Sequence, residues 1–123
     1  MSNLALQSTG QHFRDANAPF LSARLLADGL GVTLTELALL AGVARNTLTA
    51  KSGARKVDQA LSPVVRIIAM AGEMAGDESR AAIWFKHQPS PGWAGKTAYD
   101  LVRERKADKV IAYLEAVRSG VYA

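Results

Sequence analysis

The sequence of 123 residues predicts an all-α protein. Apolar residues recur at the spacing of an amphipathic helix, several segments begin with a capping pattern, and no segment alternates apolar and polar residues like a strand. We expect an arm over residues 1–17 and two helical lobes packed together, over residues 18–60 and 61–123. The chain contains no cysteine, but at this length it can bury roughly two-thirds of its unfolded surface and needs no disulfide.

Two helices are predicted before residue 42. From Pro19 the apolar residues follow one helical stripe, and Gly29 offers a residue suited to end that helix. The next helix begins at a T-x-x-E capping box, in which the side chains of Thr33 and Glu36 accept hydrogen bonds from each other's backbone N–H. We expect this second helix to end at Ala41.

The residues that follow are typical of a helix-turn-helix. The small residue Ala38 stands where the two helices would cross closely, and Gly42 tolerates the positive φ that the turn requires. The second helix of the motif is predicted over residues 44–51. The apolar residues that would hold both helices to the core are Leu37, Val43 and Leu48.

Charge favours a nucleic-acid interface on this second helix. Four of the 15 basic residues and no acidic residue lie between Leu37 and Val57, and the other 11 equal the 11 acidic residues, so the net charge of +4 lies in this window. A local positive field attracts a polyanion, although a solvated basic surface or a purely packing helix remains an alternative. Arginine can donate twice to guanine and asparagine can pair with adenine, whereas the other polar residues suit phosphates. The predicted DNA-binding residues are Arg45, Asn46, Thr47, Thr49, Lys51, Ser52, Arg55 and Lys56.

A loop and a long helix are predicted next. The loop covers residues 52–60 and carries Arg55 and Lys56. Ser62 is suited to cap the helix and Pro63 to occupy its first position, where a missing N–H has no consequence. The apolar pattern continues to about residue 75.

Three shorter helices complete the second lobe. Asp77 caps the first, and a Pro- and Gly-rich loop over residues 87–96 separates it from the second, which begins at Thr97. The third runs over about residues 108–118, and Gly120 is its predicted stop.

The second lobe also carries an ordered set of residues with a recognisable spacing. It comprises an A-x-x-W step at Ala81 and Trp84, a G-x-T step at Gly95 and Thr97, and a closing helix and tail with Val110, Leu114, Gly120 and Val121. This order resembles the toxin-binding domain of the Xre/MbcA/ParS family, in which the domain follows an Xre-like helix-turn-helix. The resemblance covers roughly residues 20–123. Two departures are Ala98, where the family usually has proline, and the segment RERKADK, where the family usually has glycine before the last helix.

The resemblance implies an antitoxin that binds a RES-domain toxin, a class of proteins that consume NAD, and that represses its own promoter. The implied partners are a RES-type toxin and operator DNA. A homodimer is expected because two reading helices must span successive major grooves. The residues predicted to bind the toxin, which include exposed aromatic or tail positions typical of binding hot spots, are Trp93, Gly95, Lys96, Arg118, Gly120, Val121, Tyr122 and Ala123.

Two alternatives remain open. The chain could be a stand-alone transcription regulator whose second lobe only dimerises, or an interaction module whose helix-turn-helix no longer binds DNA. A neighbouring gene for a RES-type toxin would separate the antitoxin from both.

Patterns of catalysis, metal binding or membrane insertion are missing from the sequence. His12 and His87 have no obvious companions, and the glycines near Gly92 follow no strand, so we expect no enzymatic activity, cofactor or metal. The apolar runs are too short to cross a membrane, and the first residues do not resemble a signal peptide. We therefore expect a cytoplasmic protein.

Overall fold

The computed structural model describes residues 22–49 and 54–120. Within these ranges the chain forms helices and no strand, which confirms the all-α prediction. The predicted arm over residues 1–17 lies outside them. The helices are α1 (Ala23–Leu30), α2 (Leu34–Ala41), α3 (Arg45–Thr49), α4 (Ala54–Ala75), α5 (Glu78–His87), α6 (Ala98–Arg103) and α7 (Ala107–Arg118).

Side-chain caps begin α2 and α6 as predicted. The backbone N–H of Glu36 donates to Thr33 Oγ1 at 3.0 Å, and the N–H of Thr33 donates to Glu36 Oε1 at 2.9 Å. Thr97 and Asp100 form a second box of the same kind, with distances of 3.2 and 3.1 Å. These boxes satisfy backbone donors that a helix start otherwise leaves without partners.

The predicted end of α1 at Gly29 is wrong. The helix continues to Leu30, whose side chain is buried, and it ends at Gly31, whose φ is 69°. The N–H of Gly31 bonds back to the carbonyls of Ala27 and Asp28. Leu30 is buried as the last residue of the helix, so the second of the two glycines, Gly31, lies where a left-handed residue ends the helix.

The length of α4 is the largest departure from the sequence prediction. The predicted loop over residues 52–60 is wrong for residues 54–60, because the helix already begins at Ala54 and contains Pro63 in its interior; residues 52 and 53 lie outside the described ranges. Ser62 does not cap a helix start. Its hydroxyl donates to the carbonyl oxygen of Asp58 at 2.6 Å, a bond typical of a helix interior.

An apolar stripe explains why α4 continues through the proline. Val57, Leu61, Val64 and Ile68 follow helical spacing, and all four are at most 4% exposed. Burying such side chains contributes about 1.5–3 kcal/mol each, which offsets the cost of about 3 kcal/mol for a proline inside a helix. The apolar stripe therefore predicts the extent of α4 better than the pair Ser62-Pro63 does.

α4 organises a single core. The buried apolar cluster has members in all seven helices of the described ranges, and α4 contacts α1, α2 and α3 as well as α5 and α7. Direct contacts also join α1 to α5 and α2 to α6. The predicted lobe boundary after residue 60 therefore lies within a continuous helix that both lobes share.

Candidate nucleic-acid and partner surfaces

The turn between α2 and α3 has the geometry expected of its residues. Gly42 has a φ of 74°, and its N–H donates to the carbonyl oxygen of Ala38 at 2.9 Å. The N–H of Val43 donates to the same oxygen at 3.1 Å. Ala38 is buried, and α2 and α3 pack against each other. The turn therefore fixes the direction in which α3 leaves α2.

The short helix α3 presents polar residues outward. Arg45, Asn46 and Thr49 are exposed, Thr47 is half-buried, and Leu48 is buried in the core. The side chains named for base contact thus lie on one accessible face. Two further predicted DNA-binding residues, Lys51 and Ser52, lie outside the described residues.

Arg55 and Lys56 lie in the first turn of α4 rather than in a loop, and both are exposed. The amino end of a helix carries a partial positive charge. Because this turn contains no acidic residue, the two cations add to the field of the helix instead of neutralising it. An anion such as a phosphate would be favoured beside this turn.

The loop between α5 and α6 is compact. The N–H of Trp93 donates to the carbonyl of Ser90 at 3.3 Å, and the N–H of Lys96 donates to the carbonyl of Trp93 at 3.0 Å. Gly92 and Gly95 have positive φ values of 85° and 80°. These bonds and the glycines bend the chain so that Trp93 turns toward α5 and α7.

Trp93 is half-buried against other aromatic rings. Its centroid lies 5.1 Å from that of Tyr113 in an edge-to-face arrangement and 6.5 Å from that of Trp84. Such pairs favour a defined ring orientation. Trp93 therefore connects the loop to α5 and α7, while part of its surface remains accessible.

Lys96 joins this loop to the end of α6. Its Nζ lies 2.8 and 2.7 Å from the two carboxylate oxygens of Glu104. This hydrogen-bonded pair is the main reason that the pKa of Glu104 is lowered, with Lys106 contributing less. Lys96 is thus held in place by a partner that the sequence analysis did not single out.

The end of α7 borders an apolar cavity. Arg118 and Gly120 are exposed, and Gly120 has a φ of 85°. Val121, Tyr122 and Ala123, which were predicted to bind the toxin, lie outside the described residues. The cavity has a volume of about 240 Å³ and is lined by Ala71, Met74, Ala75, Trp84, Tyr113, Leu114 and Val117.

Two basic side chains of the second lobe cap helices of the first, and the sequence analysis missed both. Arg105 donates from Nη1 to the carbonyl of Leu40 at 2.8 Å and from Nη2 to that of Leu39 at 2.6 Å. Lys86 Nζ donates to the carbonyl of Gly31 at 2.9 Å. These partners are 55 to 66 residues apart in sequence, so no local pattern indicates them.

The described residues offer neither a metal-binding cluster nor a membrane-spanning helix. No group of three or more His, Cys, Asp or Glu residues there could hold a metal ion. No helix in the same part of the chain is long and apolar enough to span a membrane.

Comparison with known proteins identifies one similarity. Residues 70–120 match the family model of the antitoxin Xre/MbcA/ParS C-terminal toxin-binding domain. The matched segment runs from the second half of α4 to the end of α7 and does not include α2 or α3. No curated protein and no solved structure is similar enough to the chain to count as a match.

Proposed function

We propose that this chain is an antitoxin that neutralises a RES-type, NAD-consuming toxin, because residues 70–120 match the family model of the antitoxin Xre/MbcA/ParS C-terminal toxin-binding domain. The family supports an antitoxin role in a toxin–antitoxin system with a toxin as partner. The toxin class, the blocking of its active site, and repression of the operon through DNA form the proposal. We further propose that the antitoxin is a cytoplasmic homodimer and not an enzyme.

The toxin surface that we propose comprises the loop around Trp93 to Lys96 and the chain from Arg118 onward. Trp93 combines partial exposure with a defined ring orientation, as expected of a rigid aromatic anchor. Gly120 precedes the last three residues in the sequence, and Val117 near the end of α7 lines the apolar cavity. We propose that Val121, Tyr122 and Ala123 enter the substrate pocket of the toxin.

Contact with DNA is proposed for α3 and the start of α4. The observation that carries this part is the exposure of Arg45 and Asn46 on one face of a helix whose opposite residue, Leu48, is buried. Arg55 and Lys56 lie at the positive end of α4 and suit the neighbouring phosphates. Lys51 and Ser52 complete the proposed phosphate contacts.

The DNA proposal is tested with a duplex from the promoter region of its own gene. Arg45→Ala removes a base contact and is expected to weaken binding by about 1–3 kcal/mol. Arg80→Ala is the control, because it removes the same charge from an exposed residue of α5 whose side chain lies near Asp77, three residues earlier. Equal affinities for both variants and the wild type at several salt concentrations would exclude α3 as the reading helix.

The toxin proposal is tested by deleting residues 121–123. The shortened antitoxin is expected to keep its thermal unfolding temperature but to lose protection in cells that also express the RES-type toxin encoded by a neighbouring gene. NAD levels should fall in the same cells. Full protection by the shortened antitoxin would show that the tail does not block the toxin. If no neighbouring gene encodes such a toxin, the stand-alone regulator becomes the better interpretation.

A further inference from the structure

Arg105 has a backbone conformation that side chains with a Cβ atom rarely adopt. Its φ is 66°, in the left-handed region, and it lies between α6 and α7. This is the segment RERKADK, in which a glycine would meet the backbone requirement without strain. Backbone strain of this kind persists only where the surrounding structure holds the residue in place.

That contact is the turn of the proposed helix-turn-helix. The two bonds from Arg105 reach the carbonyls of Leu39 and Leu40, at the end of α2, where helix carbonyls lack partners within the helix. α2 has no basic residue of its own in its last turn. Arg105 therefore supplies the positive charge that the carboxyl end of a helix favours.

The same guanidinium also lies against Gly42. A Cβ atom placed on Gly42 would lie 2.8 Å from Cζ of Arg105, so the group covers the residue at which the chain turns from α2 into α3. A change in the position of Arg105 would therefore alter the turn at Gly42, which sets the direction of the proposed reading helix α3.

On its other side, Arg105 is connected to the proposed toxin surface. Its neighbour Glu104 holds Lys96 at 2.7 Å, and Lys96 belongs to the loop that carries Trp93. Lys106 Nζ lies 3.5 Å from the same carboxylate. A continuous series of contacts therefore runs from the Trp93 loop through Glu104 and Arg105 to Gly42.

We propose that Arg105 is a positioning residue that couples the two binding surfaces. When Lys96 binds the toxin, it leaves Glu104, and the segment that contains Arg105 becomes less constrained. The turn at Gly42 then loses the two hydrogen bonds from Arg105 to Leu39 and Leu40, which we call the Arg105 clamp. Toxin binding then lowers the affinity for DNA. This inference rests on the proposed function, because it requires that the same chain binds both partners.

The test measures the affinity of the full-length antitoxin for a labelled duplex from its own promoter, with and without saturating RES-type toxin from the neighbouring gene. For the wild type, the toxin is expected to weaken DNA binding by about 5- to 150-fold, the usual range of coupling between sites. Arg105→Gly removes the clamp and relieves the left-handed backbone. It is expected to bind DNA weakly from the start, with no further change when toxin is added. Its affinity for the toxin should rise by up to the same factor, because toxin binding no longer has to release the contact with the turn.

Two more variants separate coupling from simple stabilisation. Lys86→Met removes the corresponding cap from α1, where Lys86 donates to the carbonyl of Gly31, and should retain the wild-type effect of the toxin. Glu104→Gln breaks the ion pair with Lys96 without altering Arg105 and should reduce that effect, so it decides the question if Arg105→Gly does not fold.

The outcomes are distinct. The role of Arg105 is overturned if toxin weakens DNA binding in both Arg105→Gly and Glu104→Gln as much as in the wild type. It is also overturned if Lys86→Met loses the effect of toxin on DNA binding to the same extent as those two variants. Wild-type DNA binding that toxin leaves unchanged or tightens also overturns this inference, while it leaves DNA binding itself established. Failure of the wild type to bind DNA overturns the proposed repressor function and this inference together.

Discussion

Glu36 shows how one side chain sets the start of the helix that leads into the turn. Its carboxylate accepts the backbone N–H of Thr33, and this hydrogen bond is the main cause of a lowered pKa; the hydroxyl of Thr33 contributes next. Lys86 and Arg103 lower the pKa further, while desolvation opposes them. The charged form is thus the one that the folded protein favours.

The pH dependence of this capping box can be predicted in sign. Because the folded pKa lies below the ordinary value of 4.5, the stabilisation is fully present above 4.5 and is lost as the pH falls through the lower folded pKa. Glu36→Gln retains an acceptor for the capping box but has no charge to titrate. As the pH is lowered from about 6 to 3, the thermal unfolding temperature should fall less for the variant than for the wild type. Parallel curves would contradict this assignment.

Arg105 and Lys86 each stabilise the end of a helix that lies far from them in the sequence. Each places a positive charge at the carboxyl end of a helix in the other lobe. α1 and α2 have no basic residue in their own last turns. The helix ends of the first lobe are therefore completed by side chains from the second.

At the scale of elements, α4 determines how the lobes are joined. It carries a buried stripe along its first turns as well as its last ones, and it contacts helices on both sides of residue 60. Pro63 lies in its middle, where no N–H is available for the helical bond. The helix is maintained by tertiary packing rather than by its local preferences.

Pro63→Ala is expected to stabilise the protein by about 1–3 kcal/mol, because it restores a helical hydrogen bond and removes the clash of the ring with the preceding turn. Chemical denaturation measures the change. Ser62→Ala serves as the control on the same turn and should have a much smaller effect, since Ser62 is exposed. A marked destabilisation by Pro63→Ala would instead show that the ring packs favourably beside Leu40 and Arg105, with which it lines a groove.

At the scale of the whole molecule, the shared core predicts that both lobes unfold together. The two tryptophans, Trp84 and Trp93, lie in the second lobe, so their fluorescence reports on that lobe, whereas circular dichroism reports on all helices. The two signals should give coincident unfolding curves.

Leu61→Ala tests this cooperativity directly. Leu61 is fully buried in the part of α4 that the lobes share. Its truncation should lower the free energy of unfolding by about 2–5 kcal/mol and shift both signals equally. A shift of the circular dichroism curve alone would show that the first lobe unfolds independently, and that the boundary after residue 60 is also a boundary of stability.

The sequence by itself determined the helical class, the capping box at Thr33, the caps at Asp77 and Thr97, and the turn at Gly42. It also indicated the similarity of the second lobe to a toxin-binding domain, which the family match confirms. These features could be predicted because the interacting groups are three or four residues apart, or because the spacing of residues in the chain is itself the signal.

Only the tertiary structure decided how far α4 extends, which glycine ends α1, and what holds Lys96, Trp93 and Arg105 in place. Burial of Leu61 and Leu30 outweighed the local stop signals, because apolar area removed from water contributes more than a cap or a helix preference. The ion pair of Lys96 and the clamp of Arg105 on α2 depend on packing that brings separate parts of the chain together. Physical proximity of that kind leaves no periodic pattern in a sequence.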